Sequence, residues 1–506
     1  MLFFCWTKTF FWFNIANMES KWKRSAFFWI LAFSFFLTAP VVILRARGYR
    51  FDLSRGVFVY SGTITFKTNP QDIEASINGE INDSKKLDRI NSSYNITGLV
   101  PGDYEIKISA DGFQPWSKKT DVHSGVSSEF WNTLLVRNSY ERAAYETGGI
   151  EKFFLSPEND SVAYAKNSDG NLSVKIMDLE EKTLSNIFDF SGWQLLREDE
   201  KENIEWSPEA DYLSIPVEKT QEPLTHYYLI ADLETEEITN LNELLGFRDM
   251  RSVRWDPQEK DYLFFLSEKK LYRANIKNVS ETALIAEDVT SFDLAAKKYI
   301  YFIKEPANLV FQSSLDGQSI IQTTDSFPDG SNQKIFRTIY YDEDRIAFIG
   351  ENKDLFVYNR GEHEDYFKKI GNGVLGTHFS DDGKKMLFWT DNEIFVYFLR
   401  DWKVQPIREE NELQTITRYS EPIRNVQWFW DYEHVVFSTG RFIKIIELDG
   451  RDKRNCMDIA STNIEKPFMI YNSFLEKMYF TDASGDSTDL HSITFPEPAT
   501  LFGFQI

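Results

Sequence analysis

Six histidines, at positions 123, 226, 363, 378, 434 and 491, are the first residues to test for chemistry. None forms H-E-x-x-H and no two stand at ligand spacing, so no histidine-built metal site is predicted. His378 and His434 do occupy related places, each near the first turn of a repeated unit. There they can face one mouth of the fold or serve as ordinary rim residues. The run Gly371-Asn372-Gly373-Val374-Leu375-Gly376 fits G-x-G-x-x-G. A dinucleotide fingerprint needs a strand before it and a helix after it, so that a helix N-terminus meets the pyrophosphate. Here a turn, Ser380-Asp381-Asp382-Gly383, and another strand follow, and the run reads as a loop between units. No G-x-S-x-G elbow is present. Cys5 and Cys456 lie about 450 residues apart without any C-x-x-C, which argues against both a structural disulfide and a thiolate metal site. Asp482, Asp486 and Asp489 offer oxygen ligands to Ca²⁺ but lack the D-x-D-x-D-G order; a solvated turn is the other reading. No catalytic residue, cofactor-binding residue, metal ligand or cofactor is assigned, and the pattern favours binding over catalysis.

The aromatic residues are more suggestive. Trp428, Trp430 and Tyr432 surround one turn, and Trp389 lies on the neighbouring unit. With His378 and His434 they form the candidate binding face. Rings of this kind stack on sugars or grip peptides when they face outward, and pack one unit on the next when they face inward.

The elements that must position them repeat. A hydrophobic strand, an acidic or Pro-containing turn, an aromatic-rich strand, a gap and a third strand recur eight times between residues 150 and 500. The clearest turns are Ser156-Pro157, Trp206-Ser207-Pro208 and Trp255-Asp256-Pro257; looser ones fall near Ala295, Asp342, Asp381, Asp431 and Leu475. The mean period of about 45 residues is that of a four-stranded propeller blade. A blade cannot bury both faces alone, whereas a ring of blades can, and closure hides the sheet edges. Residues 150–506 are therefore predicted to form a seven- or eight-bladed β-propeller. The ring can close through a strand from the tail, 496–506, or through one from 138–149, which otherwise reads as a linker.

Before that linker, residues 62–137 alternate in short strands separated by strong turns such as Asn78-Gly79, Pro101-Gly102 and Asp111-Gly112. The runs Ile64-Thr65-Phe66-Lys67-Thr68-Asn69-Pro70, Ala75-Ser76-Ile77-Asn78-Gly79, Leu99-Val100-Pro101-Gly102-Asp103-Tyr104 and Gly112-Phe113-Gln114-Pro115-Trp116 resemble a PEGA domain. That family is a small β-sandwich-like module of bacterial and archaeal surface proteins. The resemblance covers about 75 residues. It departs at the family's naming motif, since Gln71-Asp72-Ile73 follows Pro70, and at a longer polar loop from Asn82 to Ser93. The propeller turns resemble WD40-like repeats of periplasmic and surface propellers through Ser156-Pro157, Ser207-Pro208 and Ser380-Asp381-Asp382-Gly383. An anchor, a PEGA-like module and a propeller together resemble membrane-anchored bacterial proteins, and this implies that the soluble domains lie outside the cytoplasmic membrane.

The anchor is Ser25 to Leu44, twenty residues without a charge. As a helix it would span about 30 Å, the thickness of a bilayer's hydrocarbon core. Residues 1–24 precede it as a cytoplasmic segment, of which 1–17 is either an upstream start-site extension or a short interfacial helix. Residues 45–61 follow as a juxtamembrane linker. A cleavable signal peptide is the competing reading, but the apolar run exceeds the usual length and no A-x-A site follows. Basic residues flank both ends, so the positive-inside count does not choose an orientation.

Residues 1–55 carry eight Lys/Arg against Glu19 and Asp52, so residues 56–506 carry −28 of a chain total of −22. Such a polyanion repels nucleic acid, which binds by exchanging counterions for Lys and Arg. The expected function is that of a membrane-anchored extracytoplasmic binding or scaffolding protein, with envelope proteins or glycans as partners. An envelope enzyme acting on glycans or peptides in the propeller funnel, and a structural surface-layer component, are the alternatives.

Overall fold

At the turns of five repeated units, a short polar residue after the first strand closes the first hairpin with its own side chain. Ser156 Oγ accepts the Ser161 N–H at 3.1 Å, Ser207 Oγ accepts those of Asp211 and Tyr212 at 3.0 Å, and Ser380 Oγ accepts that of Lys385 at 3.0 Å. Asp256 and Asp431 do the same through Oδ1, each capturing two N–H groups at 2.8–3.1 Å. Asx- and ST-turns of this kind satisfy donors that a tight turn would otherwise leave unpaired. The Ser/Asp of the repeat is therefore hairpin chemistry.

A computed structural model describes residues 21–506 except 83–84, 89–90, 169, 197–202, 296–297, 329–333, 486, 497–499, 502–503 and 506. Cys5, the 1–17 segment and Asp486 lie outside the described residues. Two compact units divide the chain. The first holds the described residues up to Lys67 together with 74–107 and 119–131; the second holds 68–73, 108–118 and 132–506.

In the first unit, Lys21–Ala46 is a single α-helix of 26 residues with Pro40 inside it and no buried residue. It is the one helix among the described residues long and apolar enough to cross a membrane. Residues 62–134 supply two four-stranded sheets. One orders Ser127–Leu134, Gly62–Asn69, Ser93–Leu99 and Lys86–Asp88; the other orders Glu80–Ile81, Glu74–Ile77, Gly102–Ser109 and Trp116–Val122. The polar stretch read as a long loop thus contributes an edge strand, Lys86–Asp88, paired with Ser93–Asn95.

The second unit is a β-propeller. Eight antiparallel sheets follow one another among its described residues. The fifth is representative: Ile335–Asp342, Arg345–Gly350, Leu355–Arg360 and Asp365–Gly371 pair in chain order. The second is irregular, with Trp193–Leu195 and Glu205–Trp206 sharing the edge of Tyr212–Lys219. Gly371 ends the fifth sheet and Gly376 begins the sixth, so the glycine run joins two sheets and no helix follows it.

Packing between sheets supplies the core. Leu213, Ile215 and Val217 of the second sheet lie against Val174, Ile176 and Phe188 of the first, and Ile346 and Phe348 of the fifth against Tyr301 and Ile303 of the fourth. Each such buried side chain contributes about 1.5–3 kcal/mol, so a sheet is stabilised chiefly by its neighbours. Phe153 and Tyr164 of the first sheet pack on Tyr479 and Leu490 of the eighth, and this closes the ring.

A strand from the N-terminal side fastens the closure. Ala143–Tyr145 pairs with Leu490–Ser492 as the fourth strand of the eighth sheet. Among the tail's described residues, Thr500–Leu501 pairs with Phe504–Gln505. Asp482 and Asp489, expected in a solvated or Ca²⁺-holding loop, instead lie on the paired strands Lys477–Ser484 and Ser487–Thr494. Asp482 accepts Arg142 Nη1 at 2.8 Å and the Asn463 N–H at 2.6 Å, and Asp489 accepts the Gly148 N–H at 2.7 Å. Both carboxylates are buried, and they clamp the segment that closes the ring.

Candidate functional site

First strands of neighbouring sheets meet along the ring. Glu205–Trp206 touches Arg251–Trp255, Val289–Ala295 touches Ile335–Asp342, and Ile423–Trp428 touches Met469–Asn472. Three of these strands end in a tryptophan, and each tryptophan reaches across to the sheet before it. Trp206 Nε1 donates to Phe154 O at 3.1 Å, Trp255 Nε1 to Glu205 O at 3.3 Å, and Trp428 Nε1 to His378 O at 3.2 Å. A buried indole has one donor and needs one acceptor. The recurrent tryptophan therefore braces sheet to sheet.

Side-chain amides tie the same strands closer to the axis. Gln427 Nε2 donates to Met469 O at 3.1 Å while its Oε1 accepts the Tyr471 N–H at 3.0 Å. Asn425 Nδ2 donates to Pro467 O at 2.8 Å. Asp293 Oδ2 accepts the Tyr340 N–H at 2.9 Å, linking the fourth sheet to the fifth. Burial pushes this carboxyl above the usual carboxylate range, with Arg254 and Arg337 opposing it.

Within this frame lies a cavity of about 730 Å³, lined from the first, fifth, sixth, seventh and eighth sheets, the segments joining them and Asn203 of the second. Lys152, Arg337, His378, Trp389, Arg424 and Lys466 supply its distinctive chemistry. His378 stands edge-on to Trp389, with ring centroids 5.3 Å apart. Burial, helped by the charge of Arg337, lowers its imidazole pKa to about 4, so it is neutral at physiological pH. The volume falls within the range of small-molecule pockets, roughly 300–1,000 Å³.

Of the residues proposed from sequence as a binding face, His378 lines this cavity. Trp428 meets its backbone from behind, buried between the sixth and seventh sheets. Trp430, Tyr432 and His434 lie past the C-terminal end of the Ile423–Trp428 strand, in and after the hairpin turn. Trp430 is 51% exposed there. Tyr432 takes a positive φ of 52°, and burial and Asp381 raise its phenol pKa. His434 is buried, with Nδ1 2.7 Å from Asp431 Oδ2. The two histidines thus do not share a mouth: one lines the cavity and the other is part of a hairpin. The cationic lining was missed in the sequence, since its members sit singly in different units.

His434 carries a testable pH dependence. Burial lowers its pKa, but Asp431 outweighs that and holds it above the ordinary imidazole range. Its contribution to stability is therefore fully present below the unfolded pKa and is lost as pH rises through the folded one. As pH rises above the ordinary imidazole range, the melting temperature of the full chain should fall more steeply than that of His434→Gln. Parallel melting curves would refute the ion pair.

No protein-family model and no curated protein matches the chain. Solved structures to which it is similar include the Cps50 (Swd1) β-propeller domain of Myceliophteria thermophila, at 13% identity over 70% of this chain and 98% of that one, with a TM-score of 0.41. The C-terminal WD40 domain of Sif2 is similar at 11% identity over 68% and 96%, TM-score 0.45. Saccharomyces cerevisiae Sqt1 is similar at 9% identity over 70% and 98%, TM-score 0.44.

Proposed function

We propose that this chain is a membrane-anchored binding or scaffolding protein whose propeller presents a ligand site at its axis. In this reading the eight sheets are the blades of one ring, and residues 25–44 hold the chain in the cytoplasmic membrane with the soluble domains outside. The module at 62–137 is PEGA-like and contacts the cell envelope. The observation that carries the reading is the axial cavity, to which several sheets contribute polar or aromatic side chains. His378 belongs to that site, and exposed Trp430 is a second contact for a partner at the hairpin rim.

Protease treatment of intact and lysed cells, followed with an antibody to the C-terminus, tests the placement. Digestion in intact cells is the expected result. Protection until lysis, with an exported control protein cleaved, would overturn the outward orientation and leave a propeller tethered inside the cell.

A further inference from the structure

Four cations line the axial cavity, Lys152, Arg337, Arg424 and Lys466, against two carboxylates, Glu151 and Asp391. Residues 56–506 carry −28, so the sign of the lining is the reverse of the chain around it. The four come from three sheets and the segment before a fourth, and only the closed ring gathers them. Trp389, Phe468 and Ile470 add planar and apolar wall between them. We propose that the axial cavity binds a small organic anion built on a planar or apolar body; this rests on the reading of the cavity as a ligand site.

Charge and distance favour this class despite the acidic surface. Charges more than about 8–10 Å away are screened at physiological ionic strength, whereas lining cations act at contact distance between low-dielectric walls. His378 is neutral at physiological pH, and burial raises the pKa of Asp293, beside Arg337. An apolar wall alone would accept a neutral ring; the cations add the preference for an anion.

Calorimetric titration of the full chain in non-ionic detergent tests the class with three probes. These are trimesate (a benzene ring bearing three carboxylates), benzenetrimethanol as its uncharged counterpart, and pyrophosphate as an anion without a ring. Trimesate should bind at least about tenfold more tightly than either of the others, and more weakly as salt rises. Arg424→Gln with Lys466→Gln, both at exposed positions, should weaken trimesate about tenfold. Lys403→Gln, exposed and outside the cavity, should leave it unchanged. Equal binding of trimesate and benzenetrimethanol, or a double variant that binds trimesate as the parent does, would overturn the anion preference. Pyrophosphate matching trimesate would overturn the planar body. Benzenetrimethanol binding without trimesate would sink the inference and leave the cavity a ligand site. Silence from all three probes would sink the inference without touching membrane placement, which the protease experiment reads separately.

Discussion

Glu447→Gln should destabilise the propeller by about 3–5 kcal/mol, although it changes one atom in a side chain far from the axial cavity. Glu447 Oε1 lies 2.6 Å from Lys118 Nζ, and both side chains are almost fully buried. The same oxygen accepts the Asn455 N–H at 2.6 Å and Asn455 Nδ2 at 2.8 Å, while Oε2 accepts Trp116 Nε1 at 2.8 Å. Lys118 spends its remaining protons on Asp449 O at 2.7 Å and on Lys453 O. Every neighbour of the carboxylate is thus a donor. A glutamine amide has one NH₂, and in either orientation it points that donor at another donor. The variant also leaves the lysine charge buried without its counter-charge, and that penalty exceeds the worth of the pair itself. Segment 108–118 belongs to the propeller's unit, and the same variant should make it more open to limited proteolysis. The check is the melting temperature of the full chain in detergent beside that of Lys118→Met/Glu447→Gln. The double variant should recover part of the loss, because the stranded charge is gone. A single variant melting within a degree or so of the parent would mean that the pair is worth no more than an exposed one, about 0–1 kcal/mol.

The sequence showed the repeats clearly because the residues that make them visible are doing local work. Ser156, Ser207, Asp256, Ser380 and Asp431 must recur because each closes a hairpin with its own side chain. Trp206, Trp255 and Trp428 must recur because each braces its sheet to the one before. That second role also explains why Trp428 looked like a binding residue: a repeated aromatic at a turn reads the same whether it faces a ligand or the next sheet. The cavity was hidden for the opposite reason. Arg337, Arg424 and Lys466 are single residues in separate units, and their common location is a property of the ring and not of any local pattern. His434 and His378 look equivalent in the sequence, yet they fall on different strands, the second of one sheet and the first of another. Ring closure was legible only as a choice between two segments, 138–149 and the tail. Its strand is three residues long, and its partner is nearly the whole propeller away.

That strand is also where the ring should fail first. Tyr145→Ala is expected to cost about 3–5 kcal/mol, the range for removing a large aromatic from a core. Tyr145 is 2% exposed. Its ring lies 6.5 Å from that of Tyr479 and its hydroxyl 3.3 Å from Ser492 Oγ. Lys182 Nζ of the first sheet sits 4.8 Å over its face, so one side chain touches both sheets that meet at the closure. Tyr145→Phe keeps the packing and loses only the hydroxyl contact, and should cost about 1 kcal/mol or less. The two variants together separate packing from hydrogen bonding. The kinetics should separate closure from the rest of the ring. Pairing residue 145 with 490 closes a very long loop, which is entropically disfavoured until the intervening sheets have stacked, so the contact forms late. Contacts absent from the transition state change the unfolding rate and hardly touch the folding rate. Tyr145→Ala should therefore unfold faster in denaturant jumps, with refolding little altered, and its loosened strand should leave Ser487–Thr494 as an open sheet edge prone to self-association. A variant that slowed refolding as much as the melting point fell would show instead that the strand docks early and helps to nucleate the ring.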